Sequence, residues 1–169
     1  MSANYQWFGQ YGDVGSPTTA DLGISGNLYN YKTYNDLSNP ADYTSYPITA
    51  GNNSYDVWLK GHFTGTFNEI QELKYWKSGG SMGAGESLYW GGNGITAYAQ
   101  PVTGNSTYAA TTIPTSSPGS ANVSVGGSLA GSLTADGFSD FIVTQLRTTV
   151  AAEAGDTETF TFTLTYNEN

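Results

Sequence analysis

The sequence predicts a single all-β domain, a sandwich or jelly roll. Apolar residues recur with a period of two rather than 3.6. Turn-forming residues punctuate the chain at intervals of roughly 8–12 residues. The 169 residues, 38% of them hydrophobic, are enough for one hydrophobic core and argue against disorder.

The first 50 residues read differently from the rest. They hold Tyr29, Tyr31, Tyr34, Tyr43 and Tyr46, together with Pro17, Pro40 and Pro47, and few aliphatic side chains. This composition predicts an N-terminal arm or long loops over residues 1–50, partly packed on a sandwich formed by residues 51–169. An edge strand from about Leu28 to Tyr34 is compatible with it. Tyrosine buries area at low entropic cost and keeps a polar tip. The five tyrosines are therefore the candidate protein interface, with loop packing as the competing use.

From Asp56 to Gly65 the alternation is clear. Val57, Leu59, Gly61 and Phe63 share one face, and Trp58, Lys60, His62 and Thr64 share the other. A turn at Gly65-Thr66 leads into a strand from about Phe67 to Lys77, carrying Ile70, Leu73, Tyr75 and Trp76. The glycine-rich SGGSMGAGES that follows is a loop by composition and reads as a flexible hairpin tip. Short strands are expected at Leu88–Trp90, Ile95–Ala99 and Tyr108–Ile113. Pro114, Pro118 and Gly119 then break the chain before Asn122–Val125.

A further strand is expected from about Phe138 to Val150. Phe138, Ile142, Leu146 and Val150 sit four apart, a helical spacing, but the density of Val, Ile, Phe and Thr favours strand. A turn at Ala154-Gly155-Asp156 precedes the plainest strand of all. There Phe160, Phe162, Leu164 and Tyr166 alternate with threonines, apolar inward and hydroxyl outward.

Composition excludes several functions. Charged residues make up only 11% of the chain, against roughly a quarter in an average soluble domain. With 22 glycines and 13 tyrosines, the surface is expected to be built from Ser, Thr, Asn, Gly and Tyr. The net charge of −9 and the lack of a basic stripe argue against nucleic acid, whose binding rests on Lys and Arg displacing counterions. The absence of cysteine removes disulfides, thiol nucleophiles and thiolate metal sites. No stretch approaches the roughly 18 apolar residues of a membrane span. The opening MSANYQWFGQYGDVG lacks the basic and apolar regions of a secretory signal. An extracellular-type composition without such a signal fits a virion protein, made in a host cytoplasm and exposed after lysis. It equally fits a mature form whose signal has been replaced by an initiator Met.

The residues for chemistry are sparse. His62 is the one histidine and lies mid-strand, where it reads as a sheet-surface or interface residue rather than a triad base. The pairs Glu69/Glu72 and Asp136/Asp140 are the nearest approach to a glycosidase carboxylate pair; the first points to opposite strand faces and the second sits at a turn. Asp13, Asp21, Asp36 and Asp42, and the cluster Asn52, Asn53 and Asp56, could supply oxygen ligands to calcium. They match no EF-hand loop and read better as turn residues. Gly79, Gly80, Gly83 and Gly85 lack the Gly-Lys-Ser/Thr of a phosphate loop. No catalytic residue, cofactor or metal is expected. The four tryptophans, Trp7, Trp58, Trp76 and Trp90, are expected mainly in the core, with a sugar-stacking platform as the alternative.

The stretch FTGTFNEIQELKYWKSGGSMGAGESLYWGG, Phe63 to Gly92, resembles a group of tailed-bacteriophage virion proteins. In that group a strand of the type F-G-x-F-x-x-I-x-x-L-x-x-W-x-S precedes a glycine-rich loop and a G-x-x-L-x-x-G segment. The ending TVAAEAGDTETFTFTLTYNEN, from Thr149, is also similar to theirs. The resemblance implies an immunoglobulin-like or jelly-roll β-sandwich on a phage particle, of the capsid decoration (cement) type. Its partners would be the major capsid protein or other virion proteins, with self-association into a homo-oligomer. A head-fibre or tail component is the neighbouring alternative. A carbohydrate-binding sandwich is the second hypothesis, and it requires a row of exposed, coplanar aromatics.

Overall fold

The computed structural model describes residues 2–24, 29–38, 44–153 and 159–169. It is all-β and antiparallel, with no α-helix among the described residues. Nine strands are present among the described residues: β1 Ser2–Tyr11, β2 Thr18–Gly23, β3 Val57–Thr66, β4 Ile70–Gly79, β5 Glu86–Gly91, β6 Thr111–Thr112, β7 Gly137–Phe138, β8 Ile142–Thr148 and β9 Thr161–Glu168. A seven-stranded sheet runs β2-β1-β3-β8-β5-β6, with β7 also on β3, and faces a two-stranded sheet of β4 and β9.

Period-two alternation builds the space between the sheets. Trp7 of β1, Leu59 and Phe63 of β3, Leu88 and Trp90 of β5, and Ile142 and Leu146 of β8 all point the same way. Ile70, Leu73 and Tyr75 of β4 meet them from the opposite side, joined by the half-buried Phe162, Leu164 and Tyr166 of β9. Ile70 and Leu73 share a face although three residues apart. The register of β4 against β9 skips between Gln71 and Lys74, and Glu72 there takes a φ of 55°. One extra residue in the bulge switches the inward phase from even to odd positions.

The outer face of the large sheet carries a second core. Trp58 and Val143 point away from the first core and are covered by Ile95, Ala109 and Phe141. Residues 92–110 therefore form a lid of irregular chain across β3, β8 and β5, where a strand at Ile95–Ala99 was expected. Only Thr111–Thr112 of the expected Tyr108–Ile113 strand is paired. The reason lies in who satisfies the backbone. Side chains of Asp56 and Gln145 take the polar groups of Val102, Gly104 and Ser106, so no strand partner is needed.

Three further expectations are corrected. Residues 2–23 are not an arm: β1 pairs with β3 from Ser2↔Thr66 to Gln10↔Trp58, and β2 extends the sheet beyond it. Ala3, Tyr5, Trp7 and Gly9 alternate with Asn4, Gln6, Phe8 and Gln10, which makes β1 a two-faced strand built from aromatics instead of aliphatics. The glycine-rich segment is not a hairpin tip. It crosses from the small sheet to the large one and packs tightly, since a Cβ on Gly80 would collide with the Thr159 carbonyl. The buried Lys77 donates to the carbonyls of Gly79 and Gly80 at its start. The Phe138–Val150 strand is broken into β7 and β8, and the turn expected at residues 154–156 lies outside the described residues.

Candidate functional site

The acidic residues serve the backbone. Asp13 accepts from Gly15 N at 2.9 Å, Asp21 from Gly23 N at 2.9 Å and Asp36 from Ser38 N at 2.6 Å, each closing its own turn. Asp42 lies outside the described residues. Asp136 accepts from Gly65 N and Asp140 from Gly127 N, so the two carboxylates are used separately. Glu72 accepts from the Asn167 amide. Among the described residues no group of three or more His, Cys, Asp or Glu side chains could hold a metal ion. His62 stacks on Phe138, centroids 4.1 Å apart and planes 13° apart, on the outer sheet face.

Asp56, Ser106, Gln145 and Arg147 form a buried network beneath the lid. Asp56 accepts from Val102 N and Ser106 Oγ, both at 2.6 Å. Burial pushes its carboxyl above the usual range, opposed by those hydrogen bonds. Ser106 Oγ also accepts from the N–H groups of Tyr108 and Ala109, at 3.3 Å each. With Ser106 only 3% exposed and its hydroxyl hydrogen-bonded to Asp56, Tyr108 and Ala109, this serine–aspartate pair ties the lid to the sheet.

The five candidate tyrosines divide. Tyr29 and Tyr31 turn inward. The Tyr31 hydroxyl donates to Thr144 Oγ1 at 2.8 Å, and the Tyr29 hydroxyl lies 3.4 Å from that of Tyr31. Burial drives both hydroxyls' pKa up. Their rings pack on Phe160 and Phe162, so they close the open side of the core while staying only partly buried. Tyr34 and Tyr46 instead form an exposed stacked pair, 43% and 39% accessible, with centroids 4.4 Å apart at 17°. A hydrogen bond from Thr33 N to Tyr46 O at 2.9 Å fixes the two segments together. Tyr43 lies outside the described residues.

No protein-family model, curated protein or solved structure matches the chain. The surface itself must carry any functional argument. Of the tryptophans, Trp7, Trp58 and Trp90 are buried and Trp76 is half-buried, which leaves no row of exposed tryptophans among the described residues. Two surface features remain beside the tyrosine pair. On the outer face, Phe8, His62 and Phe138 cluster under Lys60, whose ammonium sits 4.3 Å from the Phe138 centroid. Partial burial lowers the Lys60 pKa.

At the other end of the sheet is a depression of about 240 Å³ lined by Asn53, Tyr89, Asn105 and Arg147 among others. Sequence reasoning missed this site. Asn53, Tyr89, Asn105 and Arg147 are scattered over 95 positions and meet only through the pairing of β5 with β8 and the seating of the lid. The one available signal was that Arg147 is the chain's single arginine.

Proposed function

We propose that this chain is a structural protein of a bacteriophage particle, of the capsid-decoration type, whose partner is the major capsid protein or a neighbouring virion protein. The observation that supports this most is the exposed Tyr34–Tyr46 stack on a surface poor in charge. Stacked tyrosines present a flat, rigid, amphipathic contact that loses little entropy on docking. A particle displays its sites many times over, so a modest contact repeated in an oligomer gives firm attachment. The two cores make the domain a stiff spacer, as a cement role requires. Head-fibre and tail positions would use the same contact, and the immunoglobulin-like or jelly-roll type of sandwich belongs to this same reading.

Sedimentation with emptied phage capsids tests it. The intact chain is expected to pellet with capsids, and the double substitution Tyr34→Ala, Tyr46→Ala to stay in solution while its melting temperature falls by no more than a few degrees. This substitution spares β1 and β2, which trimming residues 1–50 would remove. A chain that never binds capsids ends the decoration reading, and a double variant that binds at full affinity ends the role of the tyrosine pair.

A further inference from the structure

We infer that the depression beside Arg147 is a binding site for one carboxylated sugar, held by the free Nη1 of the arginine and by neutral amides. The inference is independent of the virion reading and rests on how Arg147 is held. Its Nε donates to Gln145 Oε1 at 2.9 Å, and its Nη2 donates to the carbonyls of Ser106 at 3.1 Å and Ala109 at 2.7 Å. Its guanidinium lies 3.9 Å from the centroid of the Tyr89 ring. These contacts freeze the side chain before any ligand arrives, which removes most of the entropy cost of using it. With Nε and Nη2 committed, Nη1 is the donor left over. It has no acceptor among the described residues.

The charge around it is unusual for this protein. In a chain of net charge −9, no acidic residue lines the depression; the rest of its wall is Asn, Ser, Thr and Tyr. An uncompensated, pre-positioned guanidinium nitrogen in neutral surroundings attracts an anion. The two N–H bonds of the free Nη1 suit one carboxylate. A phosphate would call for a second cation or a nest of backbone N–H groups.

The neutral groups point to a polyol. Asn53 Nδ2 donates to Asn105 Oδ1 at 3.1 Å, which orients both amides and leaves Asn105 Nδ2 as a donor and Asn53 Oδ1 as an acceptor. Ser87 and Thr149 add hydroxyls to the same wall. A donor and an acceptor held side by side match adjacent sugar hydroxyls, and the space is close to that of one sugar ring.

The test is a ¹H–¹⁵N NMR titration of the full chain with glucuronate, glucose, acetate and inorganic phosphate. Glucuronate is expected to shift the amides of Asn53, Ser87, Tyr89, Asn105 and Arg147 saturably. It should bind at least about tenfold more tightly than glucose, which lacks the charge, or acetate, which lacks the hydroxyls. Asn105→Asp places a competing carboxylate in the same wall as the guanidinium. It is expected to weaken glucuronate binding by about tenfold or more with an unchanged melting temperature. The inference is overturned if glucuronate gives no saturable shifts, or if acetate matches it. Tighter binding of phosphate, or a folded Asn105→Asp variant with full affinity, would overturn it equally.

Discussion

The Tyr31 hydroxyl donates to Thr144 Oγ1 at 2.8 Å between the two sheets, where Thr144 is fully buried. Around this bond the hydroxyls of Tyr29 and Tyr75 are also buried, and all three have pKa values raised above the ordinary 10.0, with desolvation the largest cause. Unfolded tyrosines ionise near pH 10, whereas these folded ones hold their protons to higher pH. Below pH 10 both states are protonated and the stabilisation is complete. As pH rises above 10 the unfolded chain loses protons that the folded chain keeps, so stability falls by about 1.4 kcal/mol per pH unit for each such group. Urea midpoints measured from pH 8 to 11.5 should be level at first and then drop steeply. Tyr75→Phe should lessen that slope by about one group's share.

The strands that could be read from the sequence are those whose two faces differ in chemistry. Phe162, Leu164 and Tyr166 against threonines, and Leu59 and Phe63 against Lys60 and His62, give their faces away by alternation. Trp58 breaks that logic because its face is buried too, under residues 92–110. That lid has no period to read. Its backbone is satisfied by Asp56 and Gln145, which lie over 40 positions away for Val102. β1 was legible in principle from its alternating aromatics and was obscured by its lack of aliphatics. Of the candidate tyrosines, nothing local separates Tyr31, which meets Thr144, from Tyr34, which meets Tyr46. The Arg147 depression is a product of topology and could not be assembled from spacing.

Gln145 is the residue on which the lid should depend most. It is fully buried, and its Nε2 lies 3.0, 3.2 and 2.7 Å from the carbonyls of Ser54, Val102 and Gly104. Its Oε1 accepts from Ser106 N at 3.1 Å. Gln145→Leu keeps the volume and strands these backbone groups away from water, a loss of about 3 kcal/mol. Urea denaturation should report that loss. Amide hydrogen exchange should quicken at Ser106 and Ala109 before it quickens in β3.

Gly80 is where the sheet-to-sheet crossing tolerates no side chain. Its φ is +85°, and a Cβ would overlap the Thr159 carbonyl oxygen and crowd Phe160. Gly80→Ala is expected to cost about 2 kcal/mol or more, combining left-handed strain with a backbone clash. Gly104, whose Cβ would meet nothing within 4 Å, is the control. Gly104→Ala should move the thermal midpoint little, and equal losses at the two positions would show that the packing at Gly80 is looser than the geometry implies.

The Tyr34–Tyr46 stack should be worth little to the fold and should still be detectable as a pair. Both rings are exposed, so each single alanine substitution removes little buried area. The rings nevertheless stack at 4.4 Å and 17°, and Thr33 N ties their segments together through Tyr46 O. A double-mutant cycle on thermal or urea stability is expected to give a coupling of about 0.5–1 kcal/mol. The backbone bond survives truncation of either side chain, so the coupling measures the ring contact alone. A value indistinguishable from zero would mean that the two rings move independently in solution, and the flat tyrosine face would then not exist before a partner arrives.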